Sequence, residues 1–378
     1  MKVIHLSDLH IGKRVNEFSM LEDQNYILKK IIGIIDEENP DAIFIAGDVY
    51  DKSVPSAEAV QLFDDFLCRL AERKKRVFII SGNHDSAERL SFGGRLMNTS
   101  GIHISPVYNG EVNPITLTDE FGNFNVYMLP FLKPVNIKRF FPDEEIESYT
   151  DAIKIALKNM DLNLNERNVI ITHQFVTGAE RSDSEELSVG GSDNVDVNVF
   201  EEFDYVALGH IHGPQKMVRD TVRYCGTPLK YSFSEANHKK SVTIVEFAEK
   251  GNISIRTAPL EPLHDLREIR GSYEQITLKE NWENTNRNDY MHITLTDEED
   301  IPDAMGKLRV IYPNLMKLDY DNKRTAVSGT VGSAEDVENK SPITLFSEFY
   351  EKQNNQPMSD EQADFIGKLI EQIWEDNK

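Results

Sequence analysis

Five short apolar runs in this 378-residue chain each lead into a side chain that can bind a metal. Residues 3–6 run into Asp8 and His10, 42–46 into Asp48, 77–80 into Asn83, 169–171 into His173, and 205–208 into His210 and His212. A short apolar run with β-branched residues, closed by Gly or a polar group, reads as a buried strand. Five such strands offering Asp, His and Asn at corresponding ends constrain fold and chemistry together. They predict layered sheets whose strand ends converge on one site assembled from distant sequence.

The donor types specify the chemistry further. Asp8 and His10 are two residues apart, a spacing that turns both side chains to one side of extended backbone, and His210 and His212 repeat it. Two neighbouring cations need an anionic bridge, and Asp48, following Gly47, is the natural candidate. Asn83 offers an amide oxygen, and His173, His210 and His212 offer imidazole nitrogens. A mixed oxygen and nitrogen set without thiolate suits Mn²⁺, Fe or Zn²⁺ better than Ca²⁺. A pair of such ions clamps the attacking and leaving oxygens of a displacement at phosphorus and lowers the pKa of a bound water. His84, beside a donor, reads as the acid that protonates the departing alkoxide, with Asp85 orienting its ring.

Each of these residues has a plainer reading as a satisfied polar group at a strand end. For His173 alone that reading has at least equal weight; five segments in this order and context set it aside. The other histidines go the opposite way. His5 has the wrong strand parity relative to Asp8 and reads as structural, and His103, His238, His264 and His292 lack neighbouring donor types. Cys68 and Cys225 form no CxxC spacing and have no His or Asp neighbourhood for nucleophilic catalysis, so both read as reduced cytosolic thiols. The pairs Gly93–Gly94 and Gly190–Gly191 match no phosphate loop and read as turns.

Residues 1–262 alternate strand-like and helix-like segments. A helical stripe over 20–36 carries Met20, Ile27, Ile31 and Ile35; a second carries Val60, Phe63, Leu67 and Leu70, with Pro55 and Ser56 at its start. Strand-like runs at 222–225, 241–247 and 253–257 follow, which favours a two-sheet sandwich flanked by helices over a doubly wound sheet. Composition shifts near residues 259–262. Beyond it, strands are expected at 273–278, 291–295 and 315–318 and a helix at 303–311, a small α+β unit over 265–325. Residues 326–340 are polar and read as a linker. The tail, 341–378, holds two helices: one started by Ser341 and Pro342, the other by a Ser359/Gln362 capping box ahead of Phe365, Ile366, Leu369, Ile370, Ile373 and Trp374.

Hydrophobic residues at 39% and charged residues at 28% describe a soluble protein, and no apolar run approaches the roughly 18 residues that span a bilayer. The chain enters its first strand at Lys2, which leaves no room for a signal peptide. The formal charge of −23 opposes general affinity for polyanions. Binding DNA therefore requires a local basic surface or a partner, because phosphate neutralisation dominates that affinity. Lys230, Lys239, Lys240, Arg89 and Arg95 lie near the motif segments and are the available candidates.

The series D-x-H, G-D, G-N-H-D, T-H and G-H-x-H resembles that of the calcineurin-like metallophosphoesterases. More narrowly, Ile4 to Gly12, Ala46 to Asp51, Ser81 to Ser86, Tyr205 to His212 and the block from Arg223 to Glu235 resemble the SbcD family of bacterial nuclease subunits, which more often has Ser where this chain has Cys225. The resemblance covers the first 262 residues in motif and the remainder by layout. It implies a calcineurin-like two-sheet sandwich with a capping domain and a helical tail. Asp8, His10, Asp48 and His212 would hold one Mn²⁺, and Asp48, Asn83, His173 and His210 the other, with His84 as leaving-group acid. It also implies 3′→5′ degradation of double-stranded DNA ends and cleavage of hairpins and blocked ends, together with the coiled-coil ATPase SbcC. Residues 265–325 would seat DNA, 341–378 would bind SbcC, and helices around 60–70 and 86–97 would form a homodimer, in a cytoplasmic, nucleoid-associated repair complex.

Two other readings compete. A phosphoesterase of small substrates, such as cyclic nucleotides or phosphoproteins, would use the same metals and suits the acidic charge. A non-catalytic scaffold would lack donors, whereas here every expected position is filled.

Overall fold

The computed structural model describes residues 1–185, 193–323, 325, 342–354 and 357–376. The chain divides into two compact units, Met1–Leu266 and Arg267–Lys378. In the first, the main elements are β1 (Lys2–Leu6), α1 (Leu21–Glu38), β2 (Ala42–Ala46), α2 (Ala57–Glu72), β3 (Arg76–Ile80), β4 (Ile102–Ile104), β5 (Ile115–Asp119) and β6 (Gly122–Leu129). They continue as α3 (Tyr149–Lys158), β7 (Arg167–His173), β8 (Tyr205–Gly209), β9 (Gln215–Lys216), β10 (Val222–Tyr224), β11 (Ser241–Phe247) and β12 (Ile253–Pro259).

Two six-stranded sheets result, ordered β12-β11-β1-β2-β3-β4 and β9-β10-β8-β7-β6-β5. In the first sheet β1, β2, β3 and β4 run parallel; in the second β10, β8, β7 and β6 do. One core is formed by the inner faces of both sheets, among them Phe44, Phe78, Val169, Ile171, Tyr205, Ala207 and Val245. Ile170, Val206 and Leu208 point the other way, into a second core that includes Ala152, Ile153 and Ala156 of α3. Strands buried on both faces explain the unbroken apolar runs of the sequence. α1 and α2 contact each other and bury Ile27, Ile31, Ile35, Phe63 and Leu70. Ser56 caps α2, its side chain accepting from the Ala59 N–H.

The parallel strands β1, β2 and β3 of one sheet and β7 and β8 of the other all end beside the predicted donors. Carboxyl ends of parallel strands are where α/β sheets place their sites.

The second unit carries a three-stranded sheet, β13 (Leu266–Gly271), β14 (Tyr290–Leu295) and β15 (Leu315–Tyr320), with β14 central. Helices accompany it, among them α4 (Tyr273–Thr277) and α5 (Ala304–Ile311), and Ile276, Met291, Ile293, Leu308 and Leu315 belong to its core. The strand expected at 273–278 is thus a helix, and the strand that precedes it, β13, was not expected. Ser272 accepts from the Gln275 N–H while the Gln275 side chain takes the Ser272 N–H, a capping box that outweighs the β-forming side chains of the segment. Two helices, α6 (Pro342–Asn354) and α7 (Asp360–Asp376), complete the description. The capping box of α7 is present: Ser359 N–H donates to Gln362 at 2.9 Å and Gln362 N–H to Ser359 at 3.3 Å. Ser341, the linker over 326–340 and the Gly190–Gly191 turn lie outside the described residues.

Candidate metal centre

Every donor except His173, the last residue of β7, sits on a loop just beyond a strand. β1 ends at Leu6 and β2 at Ala46, and Asp8, His10 and Asp48 adopt φ of 52°, 43° and 48°; His210 adopts 107°. The extended-backbone argument for Asp8 and His10 is therefore corrected: left-handed turns, not strand parity, bring the two side chains to one side. Positive φ is costly for residues other than Gly and collects at sites where the surroundings impose it. Here the imposition is visible. Asp8 N–H donates to Gly47 O at 3.0 Å and His10 N–H to Asp48 O at 2.9 Å, lacing the first two loops together. The Asp8 carboxylate accepts the His210 N–H at 3.0 and 3.2 Å, which ties one sheet to the other. Gly209 is needed where the loops cross, since a Cβ there would overlap the Ala46 carbonyl.

Two groups of donors result. His10 Nε2 and His212 Nε2 lie 3.1 Å apart, and Asp8, His10 and His212 can each turn one donor atom to within 4.8 Å of the others. Asn83 Oδ1 lies 3.0 Å from His173 Nε2 and 2.9 Å from His210 Nδ1. Asp48 belongs to both: its Oδ2 is 3.7 Å from His10 Nε2 and 3.3 Å from His173 Nε2. The seven expected donors thus come together. His10 and His212 with facing nitrogens, and a buried carboxylate pair, Asp8 and Asp48, in one pocket of protein fit a pair of cations better than any neutral packing arrangement.

Electrostatics divide the donors. Burial, reinforced by the charge of Asp48, pushes the Asp8 carboxyl up to about 6. Burial lowers His10 well below the ordinary imidazole value, and burial together with His173 lowers His210 to about 3, leaving both neutral and able to donate lone pairs. Burial also works against a charged His173, but Asp48 beside it outweighs burial and raises it to about 9. The His173 ring is fixed from behind by the Ala46 carbonyl, 2.8 Å from Nδ1, so Nε2 faces the site.

His84 also brings a ring nitrogen within 4.8 Å of donor atoms of His10 and Asp48, but it is more exposed than either of those two. Its side chain is 11% exposed where those of His10 and His173 are 0%, which places it at the mouth. Nδ1 lies 2.9 Å from the Asp51 carbonyl, leaving Nε2 4.0 Å from Asp48 Oδ2. Asp85 does not orient this ring, contrary to expectation. Its carboxylate accepts the N–H groups of Val49, Tyr50 and Gly82 at 3.1, 3.0 and 3.0 Å, joining the second and third loops.

A calcineurin-like phosphoesterase model matches residues 1–214, and a model of the type 5 capsule protein repressor C-terminal domain matches residues 262–354. The SbcD subunit of the SbcCD nuclease of Staphylococcus epidermidis is 34% identical over 377 residues, 98% of each chain. Its counterpart in Staphylococcus saprophyticus is 35% identical over 382 residues, 100% of this chain and 99% of the relative. The chain belongs to the SbcD family. A dimetal phosphatase from Danio rerio overlays loosely, with a TM-score of 0.39 at 12% identity over 70% of this chain and 98% of that one.

Several residues of this SbcD-family site were not expected. Glu235, Ser184, Glu185 and Lys240 surround His212, and Gln24 Nε2 donates to the His10 carbonyl at 2.7 Å and to Tyr231 Oη at 3.0 Å. Glu235 and Tyr231 gave a signal only as members of the block from Arg223, and Lys240 only as a basic residue near the motif segments. Phe131 and Phe175 stand beside His210, at ring separations of 6.5 and 6.3 Å. Two of the basic residues considered for DNA contact are committed elsewhere: Lys240 is buried against Glu235, and Lys230 pairs with Asp265 at 2.8 Å. Lys239, Arg89 and Arg95 are exposed. His5 is buried and structural, its Nδ1 3.0 Å from Tyr205 Oη. Among the described residues no helix is long and apolar enough to cross a membrane.

Proposed function

We propose that this chain is a two-metal DNA nuclease, a 3′→5′ exonuclease on double-stranded ends and an endonuclease on hairpins and blocked ends. It works with an SbcC-type coiled-coil ATPase in DNA repair, recombination and replication, in the cytoplasm at the nucleoid. One observation carries the reading: seven oxygen and nitrogen donors from five strand ends meet in one buried cluster, with Asp48 reaching both halves. The names of the relatives supply the substrate class and the partner.

Asp8, His10, Asp48 and His212 would hold one Mn²⁺, and Asp48, Asn83, His173 and His210 the other; such a pair would supply an activated water and charge neutralisation at the phosphate oxygens. The chain's own residues do the rest. Asp48, held by the His84 N–H at 2.9 Å, fixes the separation of the two halves. His84, its Nδ1 committed to the Asp51 carbonyl, presents Nε2 at the mouth and passes a proton to the departing oxygen. The charge of −23 gives a physical reason for a partner, which supplies the phosphate affinity this chain lacks overall. In this scheme residues 265–325 seat the duplex, 341–378 dock on the base of the SbcC coiled coil, and two copies associate through 60–70 and 86–97. Exposed Phe92 and Leu96, at 84% and 79%, support that last assignment.

The test is digestion of end-labelled linear duplex DNA by the purified chain with Mn²⁺, beside chelator and His84→Ala controls. A cyclic dinucleotide and an activated phosphodiester run in parallel. Mn²⁺-dependent shortening of the duplex, absent from both controls, is expected. Hydrolysis of the small diesters with the duplex intact, even after SbcC and ATP are added, would favour the small-substrate reading.

A further inference from the structure

His212 is held at three points by groups that cannot themselves reach the cluster of donors. Its N–H donates to Glu185 Oε1 at 2.7 Å, and its carbonyl accepts from Lys240 Nζ at 2.9 Å. Its ring Nδ1 lies 2.6 Å from Ser184 Oγ. Ser184 in turn hydrogen-bonds Glu235 Oε1, and the other carboxylate oxygen of Glu235 takes Lys240 Nζ at 2.5 Å. Lys240 Nζ also donates to Thr227 Oγ1 at 2.7 Å, whose own hydroxyl donates to the Leu229 carbonyl at 2.6 Å. Glu235 and Lys240 side chains are 0% and 3% exposed, so the pair lies out of water.

The direction of these bonds follows from the inventory of protons. A carboxylate paired with an ammonium has no proton to give, so the Ser184 hydroxyl proton goes to Glu235, the nearer acceptor, and not to Ser182 Oγ at 2.8 Å, whose own proton goes to Glu185. Ser184 Oγ is then an acceptor towards His212, and the imidazole proton sits on Nδ1. That leaves the lone pair on Nε2, the nitrogen 3.1 Å from His10 Nε2. A hydroxyl interposed between an imidazole and a buried carboxylate thus sets which ring nitrogen is available and where it points.

We infer that Glu235, acting through Ser184 and anchored by Lys240, is a positioning element that fixes the tautomer and orientation of His212 and so governs occupancy of one half of the metal pair. The inference rests on the two-metal reading. None of the three residues belongs to the groups of candidate metal donors. Lys240 is a fastener for the His212 loop and does not face DNA.

The test uses the full chain, stripped of metal, titrated with Mn²⁺ by calorimetry and followed by electron paramagnetic resonance. The variants are Glu235→Gln, Ser184→Ala and Ser184→Thr. The unaltered chain is expected to bind two ions and to show the multiline signal of a coupled manganese pair. Glu235→Gln and Ser184→Ala should each bind one ion normally and the other about 10- to 100-fold more weakly, the usual cost of losing an outer partner of a ligand. The coupled signal should collapse to the six lines of an isolated ion. Ser184→Thr, which keeps the hydroxyl, should restore both. Ser184→Ala leaves the Glu235–Lys240 pair intact, so its melting temperature in chelator should match that of the unaltered chain. Two ions bound with unchanged affinity in both Glu235→Gln and Ser184→Ala would overturn the inference alone. An unaltered chain that binds fewer than two ions would overturn the two-metal reading with it.

Discussion

The donor cluster and the last helix treat exposed chemistry in opposite ways. Around the cluster, loops in costly backbone conformations are pinned by short bonds between distant segments, and apolar side chains behind them are sealed. On α7, Phe365 and Leu369 are 63% and 42% exposed. The first region spends folding free energy to hold polar groups in place; the second leaves apolar groups in water. The contrast separates a cluster built around polar donors from an exposed apolar face of the kind that marks interaction surfaces.

The largest effect should come from the cluster. His84→Ala is expected to lower duplex digestion by about 100- to 10,000-fold, the range for loss of a general acid, while calorimetry still finds two ions. Loss of an ion as well would make His84 a donor and erase the distinction drawn at the mouth. Behind the site, Ile171→Ala should cost about 2–5 kcal/mol in urea unfolding, because Ile171 is fully buried between the sheets. The tail should behave in reverse. Phe365→Ala with Leu369→Ala should change unfolding free energy by only about 0.5 kcal/mol or less, and should abolish capture of SbcC in a pull-down. Retained capture would refute the docking role of 341–378.

A separate expected effect concerns pH. Burial lowers His5 to about 3, so the folded chain keeps it neutral while the unfolded chain protonates it near the ordinary value of about 6.5. Below that value the unfolded state binds the extra proton, and stability falls as pH falls from about 6.5 towards 3, by about 1.4 kcal/mol per unit from this group. His5→Gln, which cannot titrate, should reduce that slope in urea unfolding measured across the range.

Much of the site was legible because its chemistry is written in residue type. Asp8, His10, Asp48, Asn83, His173, His210 and His212 are few, polar and placed directly after apolar runs, and those runs become strands of the two sheets. What the linear order could not convey was how the loops turn. Asp8 and His10 share a side through positive φ, a conformation that only contacts from other segments, such as the bond from Asp8 to Gly47, select. Asp85 looked like a partner of its neighbour His84, yet three backbone N–H groups from elsewhere claim it. The roles of Glu235 and Ser184 depend on a separation of 51 residues closing to hydrogen-bond distance, which no local pattern announces. In the second unit the β-forming Tyr273, Ile276 and Thr277 suggested a strand, and a capping serine decided otherwise.

The bond from Asp8 to His210 joins positions 202 residues apart. A polypeptide leaving the ribosome has the first three donor-bearing strands long before the last two. Contacts of that span form late, since each must first overcome the entropy of closing a long loop. A centre divided between the two sheets is therefore incomplete until the second sheet has emerged and paired, and completeness of the sandwich acts as its safety catch.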